Sequence, residues 1–302
     1  MDGLLIIDKP AGITSHDVVA RVRRALRTKR VGHTGTLDPF ATGVIVVVLG
    51  KATRLAQFLD KDEKEYIADV QFGWETDTGD IEGVRSADCG LRNEEVAARI
   101  GEVEWDEVLA KFRGTIKQVP PMYSAKKLKG KKLYELARKG IEVEREAVEV
   151  TISELEVLER SAVSDQLSAL SIRVSCSAGT YIRTLAEDIG RATGLLAHLT
   201  ALRRTRAGKF KIEQAVTLET LAKHPSPKDL LRPIEEAVTH LPVFTLREDR
   251  VAKTRSGMST RDLSGEFGNG ETVAMVASDG ELVAVGRYDD DEKAVQPKVV
   301  LG

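Results

Sequence analysis

The sequence predicts an α+β protein, a large mixed region followed by a small β-domain. Three observations carry this. Strand-like segments (LLII at 4–7, VIVVVLG at 44–50, YIADVQF at 66–72 and residues 170–176) are interleaved with helix-like ones near 15–26, 93–112 and 182–189. Four prolines fall within HPSPKDLLRPIEEAVTHLPV at 224–243, which marks a boundary. Beyond it, TVAMVA and LVAVGRY flank Ser278-Asp279-Gly280-Glu281, a hairpin signal. The 302 residues suffice for both parts, expected at 1–240 and 244–302.

The elements follow in order. Residues 4–7 form an apolar strand ending at Asp8-Lys9-Pro10. Thr14 is placed to cap the amide of Asp17, Asp17 to reach back, and Ile13 to pack on Val18, a helix start. Val18, Val19, Val22, Ala25 and Leu26 then share one face. Residues 32–43 hold Gly32, Gly35, Pro39 and Gly43 and read as a loop. VIVVVLG is continuously apolar and β-branched, which suits a strand buried on both faces. Residues 66–72 read as a strand, 74–83 as a polar loop. Residues 93–112 read as a helix carrying Val96, Ile100, Val103, Val108 and Phe112. Leu170, Ile172, Val174 and Cys176 alternate with Ser171, Arg173, Ser175 and Ser177, a half-buried strand. A turn at 177–179 leads into a helix with Ile182, Leu185, Ala186 and Ile189 on one stripe.

Composition narrows the function. At 42% hydrophobic and 30% charged, the chain is an ordinary globular one. No apolar run approaches the roughly 18–20 residues of a membrane span. MDGLLIIDKP lacks the basic start and long apolar core of a signal peptide, so the expected compartment is the cytoplasm. Cys89 and Cys176 stand far apart and the five histidines are scattered, which argues against a disulfide framework and a zinc site. Gly43 and Gly50-Lys51 are separated by six residues where a phosphate loop needs four, Ala52 stands where it needs Ser or Thr, and no GxGxxG occurs. The net charge of −2 argues against a nucleic-acid binder, but the basic residues are segregated. RVRRALRTKR at 21–30 has six and no acid; KKLKGKKLYELARK at 126–139 has seven and one acid; RRTRAGKFK at 203–211 has five and no acid. Such clusters suit a phosphate-contacting face. Three solvated faces are the alternative.

Asp38 precedes Pro39, so its backbone is biased to an extended conformation that can aim a carboxylate out of a rigid loop. A capping aspartate is the commoner use of such a residue. The segment GHTGTLDPFATG, however, resembles the catalytic motif of the TruB family, the bacterial tRNA pseudouridine-55 synthases. LLIIDKPAGITSHDVV, KEYIADVQFGWETDTGD, QVPPMYSAKKLKGKKLYELARKG, CSAGTYIRTLAEDIG and HLTALRRT resemble further family blocks in the family's order, from residue 4 to about 206.

The resemblance implies a pseudouridine-synthase fold, with a mixed, mostly antiparallel central sheet flanked by helices and a PUA-like RNA-binding domain at 244–302. It implies isomerisation of uridine 55 in the T-loop of tRNA, without cofactor or metal. Asp38 matches the nucleophile; attack at C1′, addition at C6 and deprotonation at C2′ all stay open. Arg183 matches the arginine that pairs with it, and Asp80 a carboxylate on that arginine's other side; together they are expected to keep Asp38 charged. Tyr66 matches an aromatic that packs on the target base and is a candidate proton acceptor. Tyr181 and Leu202 match residues lining the uracil pocket. His33 matches the residue that fills the space left by the flipped base. Lys9 and Pro10 match a bracing motif. Lys126, Lys127, Lys129, Lys131 and Lys132, in an insertion at about 122–148, match a clamp on the T-arm phosphates. The implied partner is the tRNA T-arm, bound by a monomer with no guide RNA and no membrane. A tRNA-folding chaperone using the same contacts stays open. So does a guide-RNA-dependent relative acting on ribosomal RNA, against which the short N-terminus argues.

Overall fold

The computed structural model describes the backbone of every residue except 125, 129, 138, 164–166, 263 and 302, and also leaves aside the side chains of 127, 128, 131, 132, 160–163, 167 and 168. A ten-stranded sheet forms the frame. Its path runs Val216–Thr217, Gly3–Lys9, Thr42–Leu49, Ala197–Ala207, Lys64–Phe72, Leu167–Cys176, Val148–Val163 and Gly114–Gln118, with Val31–Thr34 and Phe210–Lys211 attached at its sides. The pairings of Gly3–Lys9 with Val216–Thr217 and of Thr42–Leu49 with Ala197–Ala207 are parallel. The other pairings are antiparallel, so the sheet is mixed and mostly antiparallel, as the resemblance implies.

Thr42–Leu49 shows why this frame forms. Ile45, Val47 and Leu49 pack on one face with Leu5, Ile7, Val18 and Val22. Val44, Val46 and Val48 pack on the other with Leu4, Ile6 and Leu55. A run buried on both faces needs no polar alternation, and each fully buried Val or Ile contributes roughly 1.5–3 kcal/mol. The helix Ser15–Ala25 starts at the capping box read from the sequence: Thr14 Oγ1 accepts from the Asp17 amide, and the Thr14 amide donates to Asp17 Oδ2. The helix Ile182–Thr193 buries Ile182, Leu185, Ala186 and Ile189 and ends at Gly194 in the left-handed region, φ 70°.

Three expectations change. Residues 32–34, at the start of the expected 32–43 loop, belong to a strand, Val31–Thr34, paired antiparallel with Thr42–Leu49. The 93–112 helix is two helices, Asn93–Glu102 and Trp105–Ala110; the chain is extended at Val103 and turns so that Trp105 is buried with its indole N–H on Ile100 O. The 74–83 loop opens with a strand, Trp74–Thr76, paired with Arg85–Asp88. The proline-rich stretch is packed structure. Arg232 exchanges two backbone hydrogen bonds with Leu4, and Ala237 and Val238 are buried.

The second sheet runs Val243–Thr245, Thr272–Val276, Leu282–Asp289, Ala294–Val300 and Thr260–Arg261. The expected hairpin joins Thr272–Val276 to Leu282–Asp289, with Gly280 at φ 90° in its turn. Val273, Met275, Val283 and Val295 form this sheet's own core. Ala274, Leu282, Val285 and Leu301 instead join the cluster of Val44, Val46 and Val48, so the two sheets share apolar packing. Among the described residues no helix is long and apolar enough to cross a membrane.

Candidate active site

The site is built on the loop between Val31–Thr34 and Thr42–Leu49, and Asp38 is bracketed within it. On one side, the Leu37 amide donates to Ser15 Oγ at 2.9 Å, and Ser15 Oγ donates to Leu37 O at 3.1 Å. On the other, Pro39 O accepts from Lys9 Nζ at 3.0 Å and from the Gly12 amide at 2.9 Å. Lys9 is fully buried and also donates to Pro10 O at 3.0 Å and Ile13 O at 2.7 Å. Three carbonyls at one ammonium hold two chain segments together, at the expense of desolvating it: burial lowers its pKa to about 8. Pro10 itself is exposed.

Arg183, the second residue of Ile182–Thr193, reaches the carboxylate from the far wall. Its Nε lies 3.0 Å from Asp38 Oδ2 and its Nη2 donates to Oδ1 at 3.3 Å, a two-pronged contact. Nη1 donates to Thr78 O at 2.8 Å and lies 3.5 Å from Asp80 Oδ2; Nη2 also donates to Tyr123 O at 2.7 Å. Asp80 is buried and accepts from Thr78 Oγ1 at 2.7 Å and the Glu82 amide at 3.1 Å. The guanidinium is therefore fixed from four directions. Asp38 is one-third exposed toward the pocket. Burial pushes its carboxyl above the usual carboxylate range, Arg183 opposes this, and the negative charge of Asp80 adds to the rise. Arg183 thus works to keep Asp38 charged, whereas Asp80 orients the arginine and adds to the rise.

A pocket of about 270 Å³ opens over Asp38. Tyr66, Tyr181 and Leu202 line it with Arg183. Tyr66 lies on Lys64–Phe72 with its side chain 9% exposed; burial raises its phenol pKa and Arg204 opposes the rise. Tyr181 stands immediately before the helix, and its backbone is held by buried Gln118, whose Oε1 accepts from the Tyr181 amide at 3.0 Å and whose Nε2 donates to its carbonyl at 3.3 Å. His33 is not among the lining residues. It sits on Val31–Thr34 with its ring edge-on to His16, centroids 5.7 Å apart, and burial and His16 lower its pKa. Lys126 is exposed. Lys129 lies outside the described residues, as do the side chains of Lys127, Lys131 and Lys132; the backbone pairs Lys127–Leu128 with Lys131–Lys132 ahead of a helix, Leu133–Ala137.

Counting charges misread the basic stretch 203–211. Arg203 is paired with Asp8 at 2.9 Å and Arg206 with Glu63 at 2.7 Å, while Arg204 is 1% exposed and lines the pocket. Residues 21–30 differ: Arg21, Arg23, Arg24, Arg27, Lys29 and Arg30 are exposed and form no ion pair among the described residues. Arg204 and Lys64, both buried at the pocket, were missed because they serve backbone carbonyls, which leave no mark in the sequence: distant Val44 O and Gly35 O for Arg204, and nearby Asp60 O and Asp62 O for Lys64. Among the described residues no group of three or more His, Cys, Asp or Glu side chains is arranged to hold a metal.

Residues 23–182 match the family model for the TruB family pseudouridylate synthase N-terminal domain, and residues 183–239 that for the tRNA pseudouridylate synthase B C-terminal domain. The chain is 47% identical over 239 residues to the tRNA pseudouridine synthase B of Bordetella pertussis, covering 78% of this chain and 93% of that one. It is 40% identical over 303 residues to the protein of the same name from Heliobacterium modesticaldum, covering 100% of this chain and 96% of that one. Among solved structures it resembles a chain of a Cbf5–Nop10–Gar1 complex, with TM-score 0.74 and 30% identity over 99% of this chain and 85% of that one. A structure of an H/ACA RNP bound to a substrate RNA containing 2′-deoxyuridine gives TM-score 0.70 and 28% identity, covering 99% of this chain and 85% of that one. Sequence, fold and the Asp38 motif agree, and the chain belongs to the TruB family of pseudouridylate synthases.

Proposed function

We propose that the pocket takes uridine 55, turned out of the T-loop of tRNA, and isomerises it to pseudouridine with Asp38 as nucleophile. The observation that carries this is the Asp38–Arg183 contact at the base of a pocket walled by Tyr66 and Leu202. The reaction breaks C1′–N1, turns the uracil and joins C5 to C1′. The C5 hydrogen leaves as a proton and N1 gains one, so atoms and electrons balance with no co-reactant. A carboxylate acts as nucleophile only when ionised. Arg183 supplies the opposing charge, while burial makes the carboxylate more basic than an exposed one. Leu202 gives an apolar wall, and Tyr66 places an aromatic ring and a phenol beside it.

Turning the base out costs a few kcal/mol of unstacking. His33, with its pKa lowered by burial, is suited to fill the space left behind. Lys126 and its neighbouring lysines, with the exposed arginines of residues 21–30, offer phosphate contacts that position the RNA without reading its sequence. The second sheet is read as a PUA-like RNA-binding domain at 244–302. The protein is read as a monomer acting in the cytoplasm without a guide RNA. Relatives bearing the name tRNA pseudouridine synthase B support the choice of tRNA. The test is a bare T-arm stem-loop whose target uridine is tritiated at C5. Purified protein alone should release tritium to water. No release from this substrate, with release from guide-paired RNA, would overturn the stand-alone reading.

A further inference from the structure

Arg204 is the largest side chain among the described residues that is almost completely hidden from solvent. Its neighbours Arg203 and Arg206 each have an acid, Asp8 and Glu63; Arg204 has none within ion-pair distance among the described residues. Burying a guanidinium without a carboxylate is unfavourable, and an apolar side chain of similar volume would fill the space more easily. Its donors show what it does instead. Nε donates to Val44 O at 2.6 Å and Nη2 to Gly35 O at 2.9 Å. Gly35 and Val44 lie at the two ends of the loop that carries Asp38.

The backbone reinforces this clamp. Arg204 stands in register with Gly43 on one side and Tyr66 on the other. Gly43 has φ +100°, and a Cβ there would lie 2.2 Å from Arg204 O. Gly35 has φ +65°, and a Cβ there would lie 3.2 Å from Arg204 Nη1. The Arg204 backbone leaves no room for a side chain at Gly43, and at Gly35 the left-handed backbone and the tight guanidinium contact both favour glycine. The Gly35 peptide is held from its other side as well, its amide donating to Asp60 Oδ1 at 3.0 Å. Asp60 O in turn accepts from buried Lys64 Nζ at 2.5 Å.

We infer that Arg204 is a positioning residue for the isomerisation: its guanidinium fastens both ends of the Asp38 loop into one fixed arrangement. The inference rests on the proposed function of the pocket. It acts through Asp38, because a nucleophile displaced by about 1 Å loses roughly a hundredfold in rate.

Two variants test it. Arg204→Lys keeps the charge, but a single ammonium lacks the fork that serves Val44 O and Gly35 O together. Asp60→Ala removes only the exposed acceptor of the Gly35 amide and leaves the core intact. Single-turnover tritium release, T-arm Kd and folded fraction are measured for both. Per folded molecule, Arg204→Lys should lose about a hundredfold in rate with Kd within about threefold of the parent. Asp60→Ala should lose up to about tenfold, the equivalent of one hydrogen bond, with Kd unchanged. Parental rates in both variants overturn the inference, as does a rise in Kd that accounts for the whole loss of rate. If Arg204→Lys does not fold, a parental rate in Asp60→Ala overturns it alone. Failure of the parent protein to release tritium would instead sink the functional reading.

Discussion

Replacing Arg183 by Met removes every donor at the centre of the site while keeping most of the side-chain volume. Four groups lose a partner: Asp38, Asp80, Thr78 O and Tyr123 O. They do not lose equally. Asp38 is one-third exposed and can take up water, and both carbonyls belong to partly accessible residues. Asp80 is 4% exposed and keeps only Thr78 Oγ1 and the Glu82 amide. Removing one partner of a buried pair costs about 3–5 kcal/mol, most of it the stranded charge. Urea unfolding at pH 7 should therefore show a loss of about 3–5 kcal/mol, and adding Asp80→Asn should recover roughly half of it. The same change takes the opposing charge from Asp38, so its pKa climbs further and the acid limb of any residual activity moves to higher pH. A loss below about 1 kcal/mol, no recovery with Asp80→Asn, or an unmoved acid limb in a folded variant would refute this picture.

Lys9→Met leaves the carbonyls of Pro10, Ile13 and Pro39 without their donor, and unfolding should show a loss of at least about 1–3 kcal/mol, the penalty for one stranded buried acceptor; no change in urea midpoint would contradict the bracing role. Glu187 is held at about 7 by burial against an ordinary 4.5. The folded state thus binds its proton more tightly than the unfolded state, and stability should fall as pH rises from about 4.5 to 7, by up to roughly 3 kcal/mol. Glu187→Gln should flatten that slope, and an unchanged pH profile of unfolding would refute it. Arg24→Gln should reduce the salt dependence of T-arm binding by about one unit of slope, whereas Arg206→Gln, whose charge is occupied by Glu63, should not; equal effects in a salt titration would contradict the assignment of faces.

Local patterns were legible in the sequence where a short segment decides its own fate. The Thr14–Asp17 box, the all-apolar Thr42–Leu49 and the alternation in Leu167–Cys176 specify their elements from within. Val31–Thr34 was not legible, because a glycine and a histidine give little strand preference and the strand exists by pairing with Thr42–Leu49. The break at Val103 follows from where Trp105 is buried, which periodicity does not state. In the site, the motif residues could be read through their resemblance to a family, and Asp38, Arg183, Asp80 and Tyr66 lie together. The basic run 203–211 could not be read by counting, since Asp8, Glu63 and distant carbonyls take up its charges.

Asp38→Asn tests the central claim most directly. Asparagine keeps the shape and can still accept from Arg183, so the pocket and T-arm binding should persist. Tritium release from a C5-labelled T-arm stem-loop should then fall below detection, with Kd within a few-fold of the parent. Release at a substantial fraction of the parental rate from a folded Asp38→Asn protein would contradict the assignment of Asp38 as the nucleophile.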